Sequence, residues 1–423
     1  MTNISRLGSL SILIAALITF GFSLGGSLND SAQQGEDRNY LKSETLNLSD
    51  ERLSRWLSRL VAIPSVNPDQ AGALESIAGE GLLTSELARF FRDFGGEVYL
   101  DEVIPGRSNI YGIWRGRSQC WIAVDIHLDT VGIPSTMSNP FSGKIENGRV
   151  YGRGSVDTKA TLAVVLTLLE AMHESGVRPR PNLLIAGTID EESQLMGAPA
   201  FSQWVSRQGL KIDQLAVAEP TLCGPVYGHK GVARVGLLVK GRSAHASLPE
   251  HGENAITAAA VIVNEMEREN KRLQSVEGFL GPPKLTVTLL RGGTGHNIVP
   301  NSCEVTIDRR IVEGEKPADV AEQIYRLAQR ISPLPVVLIN AGGVNAFLQR
   351  PDSPWIRQLA EWSGREPAVV PYTSNASAYR NLAQETVLIG PGSIEQAHTD
   401  SEWVAISELR KLAGIFALWW GVK

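Results

Sequence analysis

The stretch "CWIAVDIHLDT", residues 120–130, sets four apolar residues, Trp121 to Val124, ahead of an alternation that ends on His127 and Asp129. The run is too short for a buried helix and too continuous for a strand with one wet face, so it predicts a strand covered on both sides. With a side-chain period of two, His127 and Asp129 project on one face at its carboxyl end. Outward from it, "GEVYLDEV" (96–103), "SNIYGIWRG" (108–116), "NLLIAGTID" (182–190) and "QLAVAEP" (214–220) read as further strands. "EGLLTSELARFFRDFG" (80–95) and "TLAVVLTLLEAMHESG" (161–176) read as helices, the second closing on Gly176. Such alternation predicts an α/β architecture with helices on both sides of a mostly parallel sheet.

From about residue 230 the rhythm changes. Strand-like "ARVGLLVKG" (233–241) precedes a helix at 254–273, two strands at 283–293 and 303–314, a helix at 317–330 and a strand at 335–342. That βαββαβ order is the split ferredoxin-like module. The first pattern resumes with "TVLIGPG" (386–392) and the helix "SELRKLAGIFALWWG" (407–421). The expected organisation is a catalytic domain in two parts, 46–229 and 343–423, with a second domain inserted at 230–342, after an N-terminal segment of residues 1–45. No internal repeat or low-complexity segment is evident.

The chain of 423 residues, 43% hydrophobic and 20% charged, can bury a large core. A formal charge of -5 argues against a nucleic-acid partner, which needs a basic face. Cys120, Cys223 and Cys303 are far apart and form no CxxC pair, so they indicate neither a disulfide framework nor a cysteine zinc site. Residues 7–28, "LGSLSILIAALITFGFSLGGSL", carry no charge over about the length that spans a bilayer, roughly 20 residues. With Arg6 before the run and Ser23, Gly25 and Ser27 near its end, it reads as a cleaved export signal or a retained anchor. In a third reading translation starts near "LSDERLSRWLSRLVAIPS" (48–65), where Ser49 or Asp50 caps a helix, and the product is cytoplasmic.

Polar residues cluster at the strand ends. Beyond His127 and Asp129, Asp190, Glu191 and Glu192 follow one strand, Glu219 follows another, and "GPGSIEQAHTDSEW" (390–403) supplies His398. "YGRGSVDTKAT" (151–161) has the look of a phosphate loop, but Thr158 and Ala160 stand where that loop needs glycine and a hydroxyl. What it offers is a carboxylate, Asp157, ahead of a helix. Two histidines and three carboxylates from five points of the chain suit zinc or a similar metal, and two divalent ions sharing one aspartate would neutralise the crowding. The residues by themselves take the reading that far.

The ordered series "HLDT", "NPF…GRVYGRGSVDTK", "DEE", "EPT", "GRSAHAS.P", "HNIVPNSCEVTIDRR" and "GPGSIEQAHT" resembles the zinc-dependent aminoacylase, deacetylase and carboxypeptidase family from about residue 50 to the end. The resemblance implies a catalytic α/β domain with a ferredoxin-like lid and two zinc ions, with cobalt as a substitute. It implies His127 and Glu219 on one metal, Glu192 and His398 on the other, and Asp157 as the bridge. Asp129 would orient His127, and Glu191 would serve as general base. In the lid, His245 would assist the oxyanion across a homodimer, while Asn297 and Arg310 would hold a substrate carboxylate. His229, Lys230 and His296 receive no role.

Two departures from the family pattern stand out. Ala160 replaces a common glycine, harmlessly, and Asn375 in "YTSNASAY" stands where many relatives carry an acid, which touches the expected substrate contacts. The ending "GPGSIEQAHTDSEW" is most similar to acetylornithine deacetylases and implies hydrolysis of N-acetyl-ornithine in arginine synthesis. The alternatives are a dipeptidase, aminoacylase or desuccinylase-like hydrolase, exported if residues 7–28 are a true signal, and a non-catalytic binding protein on the same scaffold.

Overall fold

The computed structural model describes residues 46–72 and 75–422. The run at 7–28, with its export, anchor and start-site readings, lies outside the described residues. Among those described, no helix is long and apolar enough to cross a membrane.

Helix α1 (Asp50–Val61) starts where Ser49 Oγ accepts from the Arg52 N–H at 3.4 Å, and it buries Leu53, Trp56, Leu57 and Leu60. Helix α2 (Gly81–Asp93) leads into the hairpin β1 (Glu97–Ile104) and β2 (Arg107–Trp114), and then into β3 (Trp121–His127). Short strands β4 (Ile145–Glu146) and β5 (Arg149–Tyr151) precede helix α3 (Lys159–Ser175), which ends on Gly176 in the left-handed region. Strand β6 (Asn182–Thr188), helix α4 (Gly197–Arg207), β7 (Ile212–Val217) and β8 (Val226–His229) continue the first layer. The chain then runs through β9 (Gly231–Lys240), α5 (Ala255–Leu273), β10 (Lys284–Gly292), β11 (Ser302–Ile311), α6 (Pro317–Ile331) and β12 (Val336–Val344). It closes with β13 (Phe347–Leu348), α7 (Pro354–Ser363), β14 (Ala368–Val370), β15 (Ala383–Leu388), β16 (Trp403–Ala405) and α8 (Ile406–Trp419).

The main sheet has the order β1-β2-β6-β3-β7-β15-β8-β13, with β14 beside β8. Its centre, β6-β3-β7-β15, is parallel, and the antiparallel pairs lie toward its edges. Ile122, Val124 and Ile126 of β3 enter the core formed with α1, α2, α3 and α8, whereas Ala123 enters the core formed with α4. Both faces are therefore covered, which is why the strand reads as a nearly unbroken apolar run. The mixed α/β class with a mostly parallel central sheet agrees with the expectation. Strands β8, β13 and β14 escape sequence reading because two to four residues carry too little pattern to be told from loop.

A second, antiparallel sheet runs β10-β11-β9-β12, and α5 and α6 bury its inner residues, among them Val235, Leu237, Val305 and Ile307. A third, small sheet, β16-β5-β4, pairs Trp403 with Tyr151 and so ties the segment after His398 to the segment before Asp157.

Candidate metal centre

The site forms at the carboxyl ends of parallel neighbours, where open α/β sheets hold their ligands. His127 ends β3 in register with Thr188, which ends β6. The Leu128 N–H donates to Thr188 O and the Ala218 N–H to Asp125 O, both at 2.8 Å, so the ends of β3, β6 and β7 stay level. That brings His127, the Asp190–Glu192 turn and Glu219 to one edge.

His127 is buried, with Nδ1 3.0 Å from the Asp129 carbonyl oxygen and Nε2 3.0 Å from Asp157 Oδ1. A neutral imidazole has one N–H, so two acceptors are satisfied only by its cation or by a metal on Nε2 with the proton on Nδ1. The Asp129 carboxylate lies farther from Nδ1, at 3.7 Å. It accepts instead from Asn67 Nδ2 at 2.8 Å and from the N–H groups of Glu191 and Glu192 at 3.1 and 3.0 Å. Asp129 thus shapes the turn carrying both glutamates, and its carbonyl aims the histidine. Across that turn, Arg107 donates to Glu80 at 2.7 Å and to Asp190 at 3.1 Å.

Asp157 sits on a loop held from beneath. Glu402, buried, accepts from the Val156 and Asp157 N–H groups at 3.0 and 3.3 Å and from Arg153 at 2.6 Å. Gly154 has φ +82°, and a Cβ there would fall 2.9 Å from Thr130 Cγ2, so the turn requires glycine. Asp157 Oδ2 lies 3.3 Å from His398 Nε2, which is also 3.2 Å from Glu192 Oε1. Asp157 therefore stands between the two histidines.

Two donor groups result, His127 with Glu191 and Glu192, and Asp157 with Glu192 and His398, each with its ligand atoms within 4.8 Å of one another. Glu219 is buried and feels the charges of Asp157, Glu191 and His127, and it stands outside both groups.

Burial, reinforced by the neighbouring carboxylates, pushes Glu191 and Glu219 well above the usual carboxylate range and raises Glu192 as well. Burial also acts to raise Asp157, but hydrogen bonds from His127 and His398 outweigh it and hold that carboxyl low. Hydrogen bonds to Asp157 and Glu192 push His398 up to about 11, and Asp157 raises His127 against the effect of burial. The histidines' own protons supply the positive charge that the clustered acids demand. Divalent cations bound by the same nitrogens and oxygens would supply it more fully, so the donor set fits a metal.

His245 and Asn297 lie elsewhere, on exposed loops outside the strands of the second sheet, where the Ala246 N–H donates to Asn297 O at 2.9 Å and His245 bridges to Ile298. Arg310 donates to Asp308 at 2.8 Å, while Arg309 is buried against Glu315 at 2.7 Å. Among the described residues, His245 joins neither donor group. Asn375 is buried and donates to Asp125, so this departure lies in the core rather than at a substrate contact. Sequence reading missed Glu402, Arg153 and Asn67 as supports. Glu402 stands four residues after His398, but only the fold shows that it reaches back to the Asp157 loop.

Residues 123–420 match the sequence profile of peptidase family M20/M25/M40. The chain belongs to that family. It is accordingly a metallohydrolase of amide bonds, as expected from the motif series. The acetylornithine deacetylase of Aliivibrio salmonicida (strain LFI1238) is 30% identical over 353 residues, covering 78% of this chain and 88% of that protein. A tripeptidase from Staphylococcus aureus superposes with a TM-score of 0.69 at 21% identity, over 86% of this chain and 96% of its own. A dinuclear metal-binding M20 peptidase from Bacillus subtilis superposes with a TM-score of 0.60 at 15% identity, over 88% and 99%.

Proposed function

We propose that this M20 chain removes the acyl group from an N-acyl amino acid, with N-acetyl-ornithine as the leading substrate, at a centre for two divalent ions, zinc first and cobalt as a substitute. The observation that carries the reading is the pair of donor groups sharing Glu192, with Asp157 reaching from one histidine to the other. His127, Asp157, Glu192, Glu219 and His398 would hold the ions, which when bound supply Lewis acidity and an activated water. Glu191 is half-buried on a turn that Asp129 fixes through two backbone N–H groups, which leaves its carboxylate to take a proton and return it to the leaving amine. The buried Glu402–Arg153 pair keeps the Asp157 loop from relaxing away from the histidines.

In this reading residues 230–342 form a lid that also makes a homodimer. His245, Asn297 and Arg310 would reach the substrate by closure or from a second copy, and the catalytic domain is split into 46–229 and 343–423. The sequence similarity to the deacetylase supports the ornithine substrate. The uncharged run at 7–28, if it directs export, favours a scavenging dipeptidase or aminoacylase instead.

The test is amine release by the full chain supplied with zinc or cobalt, from N-acetyl-ornithine beside N-succinyl-diaminopimelate, N-acetyl-methionine and simple dipeptides. N-acetyl-ornithine is expected to show the highest kcat/KM. A preference for dipeptides would replace the substrate while keeping the centre, and turnover that persists after verified metal removal would overturn the centre itself.

A further inference from the structure

Beneath the metal centre lies a polar cluster that the chemistry above does not use. Asp125, on β3 two residues before His127 and on the same face, is fully buried. Its Oδ1 accepts from Thr188 Oγ1 at 2.7 Å and its Oδ2 from Asn375 Nδ2 at 3.0 Å, while Asn375 Nδ2 also lies 3.1 Å from Thr188 Oγ1. Buried polar groups in an α/β core are costly unless satisfied, and here both Asp125 oxygens, the Thr188 hydroxyl and the Asn375 amide nitrogen pair with one another, while Asn375 Oδ1 has no hydrogen-bond partner among the described residues.

Each partner belongs to a different support of the centre. Asp125 precedes His127 and Asp129. Thr188 ends β6 and precedes the Asp190–Glu192 turn. Asn375 opens a short turn at Asn375–Ala378, just after Tyr372, whose hydroxyl donates to the carbonyl of Pro220 at 3.4 Å, next to Glu219. One carboxyl group therefore joins the backbones that present His127 and Glu191 with Glu192 to the Asn375 turn, whose neighbour Tyr372 separately reaches the backbone beside Glu219. Position 375 has to donate to that carboxyl, which an amide does and an ionised aspartate does not.

We propose that Asp125 is a positioning residue for the metal centre and that Asp125 and Asn375 form a coupled pair holding one carboxyl and one amide. The inference rests on the metallohydrolase reading and deepens it. Partners one layer behind metal ligands typically change metal affinity or activity by 10- to 100-fold, because they fix ligand orientation.

The experiment compares full-length wild type, Asp125→Asn, Asn375→Asp and the exchanged double variant Asp125→Asn/Asn375→Asp. Zinc affinity is read by calorimetric titration, kcat and KM with the best substrate of the panel above, and folding by thermal melting. Asp125→Asn sets two amides face to face. It is expected to weaken zinc binding and lower kcat by at least about tenfold with KM within about threefold. The exchanged variant, which restores one carboxyl and one amide, is expected to recover most of both losses. Should Asp125→Asn fail to fold, Thr188→Val, which removes one donor to the carboxyl at nearly constant volume, is expected to shift zinc affinity and kcat in the same direction. A folded Asp125→Asn, or in its place Thr188→Val, with zinc affinity and kcat within twofold of wild type overturns the inference, as does an exchanged variant that recovers melting temperature alone. A wild type that binds no zinc overturns the metal-centre reading and this inference with it. A wild type that binds zinc while its variants bind equally well overturns this inference alone.

Discussion

At the scale of single residues, the site shows two aspartates near one histidine doing different work. Asp157 faces His127 Nε2, whereas the Asp129 carboxylate is engaged by Asn67 and by the turn that carries Glu191 and Glu192. Glu191 is the acid whose burial and neighbours favour holding a proton, which suits a group that takes one up and gives it back. Replacing it by an isosteric amide removes the proton acceptor and leaves the shape. Glu191→Gln is therefore expected to retain zinc in a calorimetric titration while kcat falls by roughly 10²- to 10⁴-fold. Unchanged turnover in a folded variant would remove Glu191 from the mechanism. His127 stood out in the sequence as a histidine at a strand end, whereas Asp157 and His398 lie on loops and took their expected places, with Glu192, from the family motifs. Asn67 did not stand out, since an asparagine in the loop after a helix carries no signal until its amide is seen on Asp129.

At the scale of elements, the decisive device is the loop from Gly152 to Thr158, anchored by residues far along the chain. Arg153 and Glu402 are both buried and paired at 2.6 Å, and Glu402 also accepts the N–H groups of Val156 and Asp157. Breaking such a pair from one side strands a buried charge, at a cost of about 3–5 kcal/mol. Arg153→Met is expected to lower the stability read from a urea unfolding curve by that amount, and Arg153→Met/Glu402→Met by less. Equal losses in the single and double variants would mean that packing, not charge, holds the loop. The helix after the loop has a simpler role. Leu166 of α3 is wholly buried among the core residues against β3, so Leu166→Ala is expected to cost about 2–5 kcal/mol in the same measurement.

At the scale of the whole molecule, stability should follow both acidity and metal. His229, at the end of β8, is buried beside Phe347, and burial pushes its imidazole down to about 4 from the usual 6.5. The unfolded chain takes a proton there below about pH 6.5 and the folded chain does so only near pH 4. Unfolding stability is thus full above pH 6.5 and falls as the pH drops toward 4, by roughly 3 kcal/mol for this group. His229→Met is expected to flatten that part of the stability profile measured by urea unfolding between pH 4 and 7; a profile identical to wild type would place the acid sensitivity elsewhere. Metal acts on the same equilibrium, because a ligand of the folded state stabilises it by about 2.7 kcal/mol at a hundred times its Kd. Adding zinc should raise the urea midpoint and a chelator should reverse the shift; no change in either direction would count against the centre.

By itself the sequence determined the α/β class, the strand ends, the acids and histidines standing on them and the family motifs, since all of these are written in local periodicity and in residue type at fixed positions. Only the tertiary structure decided which of these side chains meet. It gathered Glu191 with His127 and Glu192, spent the Asp129 carboxylate on a backbone turn, withdrew Asn375 into the core against Asp125, and placed Arg153 on a glutamate 249 residues away. Periodicity reports which face of an element is apolar. Pairing between distant polar groups depends on how sheet register and loop closure bring their supports together, and no local pattern encodes that.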